Sequence, residues 1–181
     1  MKLRNLVLGL GVAALSLSAG AMASEQPISE QGIARVQKQV RHELNMLPYV
    51  NAFDYMTFTV DENGGVTLNG EVTNPVVKSD AANVVKRVEG VQRVDNKIQV
   101  LPVSFFDSGL RARLYRTIYG YGPLQRYALG VNKSIRIIVE NGHVTLLGVV
   151  DSEMDKNLVG IRANTVPGIF SVDNQLKVVK G

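Results

Sequence analysis

The 181-residue chain has no cysteine, no tryptophan and only two histidines, His42 and His143. Without cysteine there is no disulfide framework, no thiol nucleophile, no thiolate metal site and no residue for an N-terminal lipid anchor. Two histidines distant in sequence leave no multi-histidine metal site. Charge of one sign is scarce too: 20 basic and 16 acidic side chains give a formal +4. Two of those cations, Lys2 and Arg4, precede an apolar run from Leu6 to Leu17, and Ala21-Met22-Ala23 has the small-x-small pattern of a cleavage site. Residues 1–23 are therefore expected to be a signal peptide, cut before Ser24, that exports the chain to the periplasm. The remainder carries only +2, so general nucleic-acid binding loses its compositional support. No later run is apolar enough to span a bilayer.

What is present is a repeat. Val66-Thr67-Leu68-Asn69-Gly70-Glu71-Val72 matches Val144-Thr145-Leu146-Leu147-Gly148-Val149-Val150 at an offset of 78. The same ungapped offset pairs Gly90-Val91 with Gly168-Ile169, and Val94-Asp95-Asn96 with Val172-Asp173-Asn174. Residues 66–100 share 12 identities with their partners, which marks an internal duplication.

Each copy reads the same way. Strands are expected at Tyr55 to Val60 and Ser134 to Val139, followed by the turn dipeptides Asn63-Gly64 and Asn141-Gly142. The next strand alternates, with Val66, Leu68, Gly70 and Val72 on one face. Gly70 and Gly148 are read as mid-strand positions where a missing side chain lets a helix pack close. Helices with apolar stripes follow (Val77, Ala81, Val84, Val85 and Val88; then Met154, Leu158 and Ile161). Last strands are expected over Gln92 to Leu101 and Phe170 to Val179. A further helix precedes each copy, on the stripes Ile33, Val36, Val40, Leu44, Leu47 and Leu110, Leu114, Ile118, Tyr121. The fold class is α+β: two tandem α-β-β-α-β sandwiches, each a three-stranded mixed sheet with two helices on one face. The expected division is residues 28–102, a link at 103–109, and residues 110–181.

V-T-L-x-G in both copies, then G-V or G-I, then V-D-N before the last strand, resembles the BON domain family of bacterial osmotically induced periplasmic and nodulation proteins. The resemblance implies a non-enzymatic envelope protein that associates with phospholipid and protects the envelope under osmotic stress. One branch with two such domains is lipid-anchored and binds anionic phospholipid through its second domain. This chain has no cysteine and looks more like the soluble, osmotically induced branch.

Catalytic machinery is hard to assemble from these residues. The histidines lie in different copies, and Glu153 and Asp155, two apart on a helix, point to different sides. Asp61-Glu62 lacks the further ligands of a calcium loop. In Gly120-Tyr121-Gly122-Pro123 the proline removes a donor that a phosphate-cradling loop needs. No enzyme, cofactor or metal is expected.

Function is better sought where the copies differ. Residues 24–104 sum to −2 and residues 105–181 to +4. From Ser108 to Val139 there are six cations and no acid, and four of the six tyrosines lie there. Arginine beside tyrosine suits a bilayer interface, where guanidinium meets phosphate and the ring spans wet and dry zones. Arg111, Arg113, Tyr115, Arg116, Tyr119, Arg126 and Tyr127 are therefore candidate lipid contacts. The resemblance adds Lys156 and Arg162 on the second helix of that copy. The outer sheet face also differs. Thr57, Thr59, Thr67, Asn69 and Glu71 make it polar in the first copy. In the second, Ile138, Leu147 and Val149 leave an apolar patch suited to docking on the first copy or on an envelope protein. The expected partner is an anionic phospholipid surface; the alternative is a chaperone or protein-interaction module using that patch.

Overall fold

The computed structural model describes residues 28–130 and 132–179. The expected signal peptide lies outside the described residues. Domain 1 begins with helix α1 (Glu30–Asn45), whose N-cap Ser29 accepts a hydrogen bond from the Gly32 amide at 3.2 Å. Its stripe Val36, Val40 and Leu44 is buried. Strands β1 (Tyr55–Val60) and β2 (Gly65–Val72) form an antiparallel hairpin. Asp61 ties its turn, accepting from the amides of Asn63 at 2.9 Å and Gly65 at 2.7 Å. Helix α2 (Pro75–Val85) starts on the Asn74 cap with proline in its first turn. It crosses over to β3 (Arg93–Asn96), which runs parallel to β2 and continues after a break as β4 (Gln99–Val100).

Domain 2 repeats this order with α3 (Phe105–Tyr119), β5 (Ile135–Glu140), β6 (His143–Val150), α4 (Glu153–Asn164), β7 (Ser171–Asn174) and β8 (Lys177–Val178). A 3₁₀ segment at Gly122–Ala128 is its one added element. Helix α3 takes residues 105–109 of the expected link into its first turns. The expected α+β class is observed: two mixed sheets, each backed by two helices.

Three expectations are corrected. On α4 the expected stripe is not the buried one: Met154 is 78% and Ile161 61% exposed, Leu158 is half-buried, and Val159, Gly160 and Ala163 face the core, the small residues letting the helix lie close. Each last strand was expected to be continuous, yet it breaks after the V-D-N motif. Asn96 Nδ2 donates to the Lys78 carbonyl on α2 at 2.8 Å, while its Oδ1 accepts from the Ile98 amide at 3.2 Å. Asn174 does the same with Lys156 at 2.8 Å and Leu176 at 3.4 Å. The motif staples strand to helix, and the break is the geometry that lets one asparagine reach both. Gly70 and Gly148 are required for a different reason from helix packing. Their φ values are +127° and +111°, and an added Cβ would collide with the carbonyl oxygens of Tyr55 and Ser134 on the neighbouring strand.

The two cores are separate, except where domain 1 enters domain 2. The loop after α1 puts Ala52 into the core of domain 2 and lays Phe53 edge-on to Tyr115, ring centroids 6.1 Å apart. The Ile137 amide, on the free edge of β5, donates to the Ala52 carbonyl at 2.8 Å, and Arg136 Nη1 donates to the Asn51 carbonyl at 2.8 Å. An open sheet edge is thereby covered within the chain.

Candidate functional site

The basic, tyrosine-rich segment divides into side chains the fold uses and side chains it leaves outside. Arg111, Tyr119 and Tyr127 are buried, which corrects their expected role as lipid contacts. Arg111 lies under β5 and donates to the Val139 carbonyl at 2.5 Å. Burial pulls its guanidinium below the usual value, against the attraction of Asp107 and Asp54. Tyr119 donates to the Ile135 carbonyl at 2.5 Å, and burial pushes its phenol far up. Tyr127 donates to Asp155 at 3.0 Å and accepts from the Asp151 amide at 2.9 Å. The two tyrosine hydroxyls have their polar ends satisfied inside domain 2, whereas Arg111 is held through Nη2 while its buried Nε has no partner among the described residues.

The others are spread over several surfaces. Arg126 is exposed but paired, with Asp151 at 3.1 Å and Asp155 at 2.5 Å. Burial alone would raise the Asp155 carboxyl. Hydrogen bonds from Ser152, Tyr127 and Arg126, together with the Arg126 charge, outweigh it and hold the group below the usual carboxylate range. Tyr115 is half-buried between Phe53 and Tyr119. Arg113 crosses to the turn after α4, where Nη2 donates to the Pro167 carbonyl at 3.5 Å. Arg162 crosses the opposite way: Nε donates to the Thr117 carbonyl at 3.3 Å, and its guanidinium lies 4.7 Å from the Tyr121 ring centroid. Lys156 is half-buried on α4. Arg116, with no ion-pair partner among the described residues, lies on the exposed stripe of α3 with Phe105, Ser108 and Ala112.

That stripe leads to residues the sequence reading missed. At the tip of domain 2, Phe105 is 96% exposed, Phe170 70% and Phe106 49%. Phe106 and Phe170 stack at 6.2 Å, and His143 lies 5.8 Å from Phe170. Gly142 and Gly168, the turn glycines of this end, sit directly behind the rings, and Arg113 lies beside Gly168. The one acid of α3, Asp107, is turned inward. Its oxygens accept from the Asn141 and Gly142 amides at 3.0 and 2.9 Å, which fixes the β5–β6 turn under the aromatic tip. The outer stripe of α3 therefore carries aromatic and basic groups and no exposed carboxylate. A signal was legible: at offset 78, Phe170 stands where the first copy has Gln92, and Phe105-Phe106 lies within the segment 103–109 expected to be a link.

The apolar sheet patch is smaller than expected. Ile138 is only 6% exposed. With Leu147, Thr145 and Gln175 it lines a crevice of about 320 Å³ whose other wall is Tyr55, Gly70 and Glu71 of domain 1. Val149 alone of the three stays exposed. This face thus looks onto domain 1 instead of lying open. Burial, and then the nearby Glu140, raise the Glu71 carboxyl above its usual value. Among the described residues no group of three or more metal-ligating side chains converges, and no helix is long and apolar enough to cross a membrane.

The BON domain family profile matches residues 33–102 and 126–180. The chain is also similar to the outer membrane lipoprotein DolP of Haemophilus influenzae, 33% identical over 136 residues. That match spans 72% of this chain and 62% of the relative's length. Among solved structures, the C-terminal domain of CdsD, the structural protein of the type III secretion system of Chlamydia trachomatis, covers 78% of this chain at 14% identity and a TM-score of 0.33, with 96% of its own length matched. A second CdsD structure gives a TM-score of 0.29 at 14% identity, over 81% of this chain and 93% of that one. Scores at that level do not establish a shared arrangement. The first match runs from α1 to the end of domain 1 and the second covers domain 2 after α3, and the chain belongs to the BON domain family, with two BON domains in tandem.

Proposed function

We propose that this is a non-catalytic protein of the periplasm that rests on anionic phospholipid through the tip of domain 2, and that it protects the envelope under osmotic stress. The observation that carries the reading is the exposed, stacked pair Phe106 and Phe170 with the exposed Phe105 next to it in the chain, at the start of an α3 stripe that reaches Arg116 and has no exposed acid. Phenyl rings displaced from water into the acyl boundary supply the apolar contribution. Each arginine near an anionic surface adds about 1 kcal/mol. The family membership and the similarity to a protein named as an outer membrane lipoprotein agree with an envelope location.

Liposome flotation at low and high salt, with phosphatidylglycerol-rich and with neutral vesicles, tests it. The expected result is flotation with the anionic vesicles, weakened but not abolished by salt, because the rings are insensitive to screening. Equal flotation with neutral vesicles, or none with either, overturns it.

A further inference from the structure

We propose that the cleft between α1 and α2 of domain 1 receives an arginine side chain, with a neighbouring carboxylate, from a partner protein. The cleft has a volume of about 380 Å³ and is lined by Arg35, Gln39, Glu43, Val84, Arg87, Val88 and Glu89. Domain 2 shows what the same cleft holds when it is full. The ungapped offset of 78 sets Val84 against Arg162 and Glu89 against Pro167. The buried stripes Val36-Val40-Leu44 and Leu110-Leu114-Ile118 align α1 with α3, setting Gln39 against Arg113 and Glu43 against Thr117.

In domain 2, Arg113 and Arg162 fill the groove between the helices and donate to the Pro167 and Thr117 carbonyls at the far helix ends. Arg113 Nε is shut away from solvent there, while Nη2 stays at the surface, so the groove takes in the stem and inner edge of an arginine. In domain 1 both arginines are replaced, by glutamine and by the shorter valine, and the groove stands open. The two positions that receive guanidinium in domain 2 carry carboxylates in domain 1, Glu43 and Glu89. Glu43 accepts from Gln39 at 2.8 Å, and among the described residues neither Glu89, Arg35 nor Arg87 has an ion-pair partner. Val84 and Val88 give the aliphatic stem of an incoming arginine an apolar wall, and the guanidinium fork matches a carboxylate in two bonds. Arg35 and Arg87 complete the lining, so a bare cation is disfavoured and a segment carrying both signs is matched.

The probe is the N-acetylated, C-amidated tripeptide Arg-Ala-Glu, titrated into the ¹⁵N-labelled full chain and followed by amide shifts. Its citrulline counterpart keeps the shape and removes the charge. The expected result is saturable shifts at Glu43, Val84, Val88 and Glu89, with the citrulline peptide about tenfold weaker. Val84→Arg, which installs the residue of the sister domain, should fill the cleft and remove the response. The double change Glu43→Gln, Glu89→Gln should weaken it without filling the cleft, and serves if Val84→Arg does not fold. Equal binding of the two peptides, shifts centred elsewhere, no saturable shifts, or a full response in a folded variant overturns the proposal.

Discussion

Replacing Phe105 with serine isolates the apolar part of the membrane contact. The ring is 96% exposed and makes no contribution to either core, so the folded state loses almost nothing with it. A phenyl side chain moved fully from water to an apolar medium gains about 3 kcal/mol. An interfacial depth that removes half of its water contact realises ~1.5 kcal/mol, about a tenfold change in partition. Phe170 is 70% exposed, and on the same reckoning contributes ~1 kcal/mol. The double variant Phe105→Ser, Phe170→Ser should therefore bind phosphatidylglycerol-rich vesicles roughly fiftyfold more weakly, with an unchanged salt slope because no charge is lost. Arg116→Gln should show the opposite pattern: a smaller loss of about fivefold and a shallower salt dependence. Vesicle sedimentation over a lipid titration measures both quantities. If the double phenylalanine variant binds like the parent while its melting temperature is unchanged, the aromatic tip is not the membrane contact and the reasoning fails.

Three further outcomes test the structure itself. Gly148→Ala places a Cβ against the Ser134 carbonyl at φ +111° and should destabilise domain 2 by about 3 kcal/mol or abolish its folding, read by thermal melting. Asn174→Ala removes the link to the Lys156 carbonyl on α4 and the one that holds the Leu176 amide across the strand break, and should cost about 2 kcal/mol in chemical denaturation. The low Asp155 carboxyl contributes stability that is fully present above the unfolded carboxylate range and lost as pH falls through its folded value. Asp155→Asn should therefore lower the melting temperature at neutral pH, with the gap to the parent closing in acid; a constant gap at all pH values contradicts that account.

The duplication, the order of elements and the buried stripes of α1, α2 and α3 were legible in the residues alone, because periods of 2 and 3.6 are local properties of a chain facing one core. On α4 the large apolar residues Met154 and Ile161 drew the stripe to the wrong face, and the small Gly160 and Ala163 are the ones that pack. Tyr55–Val60, Gly65–Val72 and Glu153–Asn164 lie close to where alternation and spacing place them. The V-D-N motif was visible as a repeat, but its job was not. Asn174 reaches the Lys156 carbonyl from eighteen residues away, and only the packed helix brings that carbonyl near. The conformation of Gly148 was hidden for the same reason, since its requirement comes from Ser134 on the neighbouring strand.

Residue order alone sets an acidic first copy against a basic second one and places an arginine–tyrosine segment in the latter. Tertiary structure decided which of those side chains meet solvent. Arg111, Tyr119 and Tyr127 sit one or two residues from exposed neighbours, yet each finds a buried carbonyl or carboxylate that exists only once β5, β6 and α4 are in place. Conversely, Phe105 lies in the segment expected to be a link, and its 96% exposure at the start of α3 shows only once that helix is in place. The meeting of the domains is of the same kind: Ala52 is an unremarkable loop alanine until the β5 edge offers it an amide. Local periodicity determines what a segment becomes, while exposure depends on what the rest of the chain places against it.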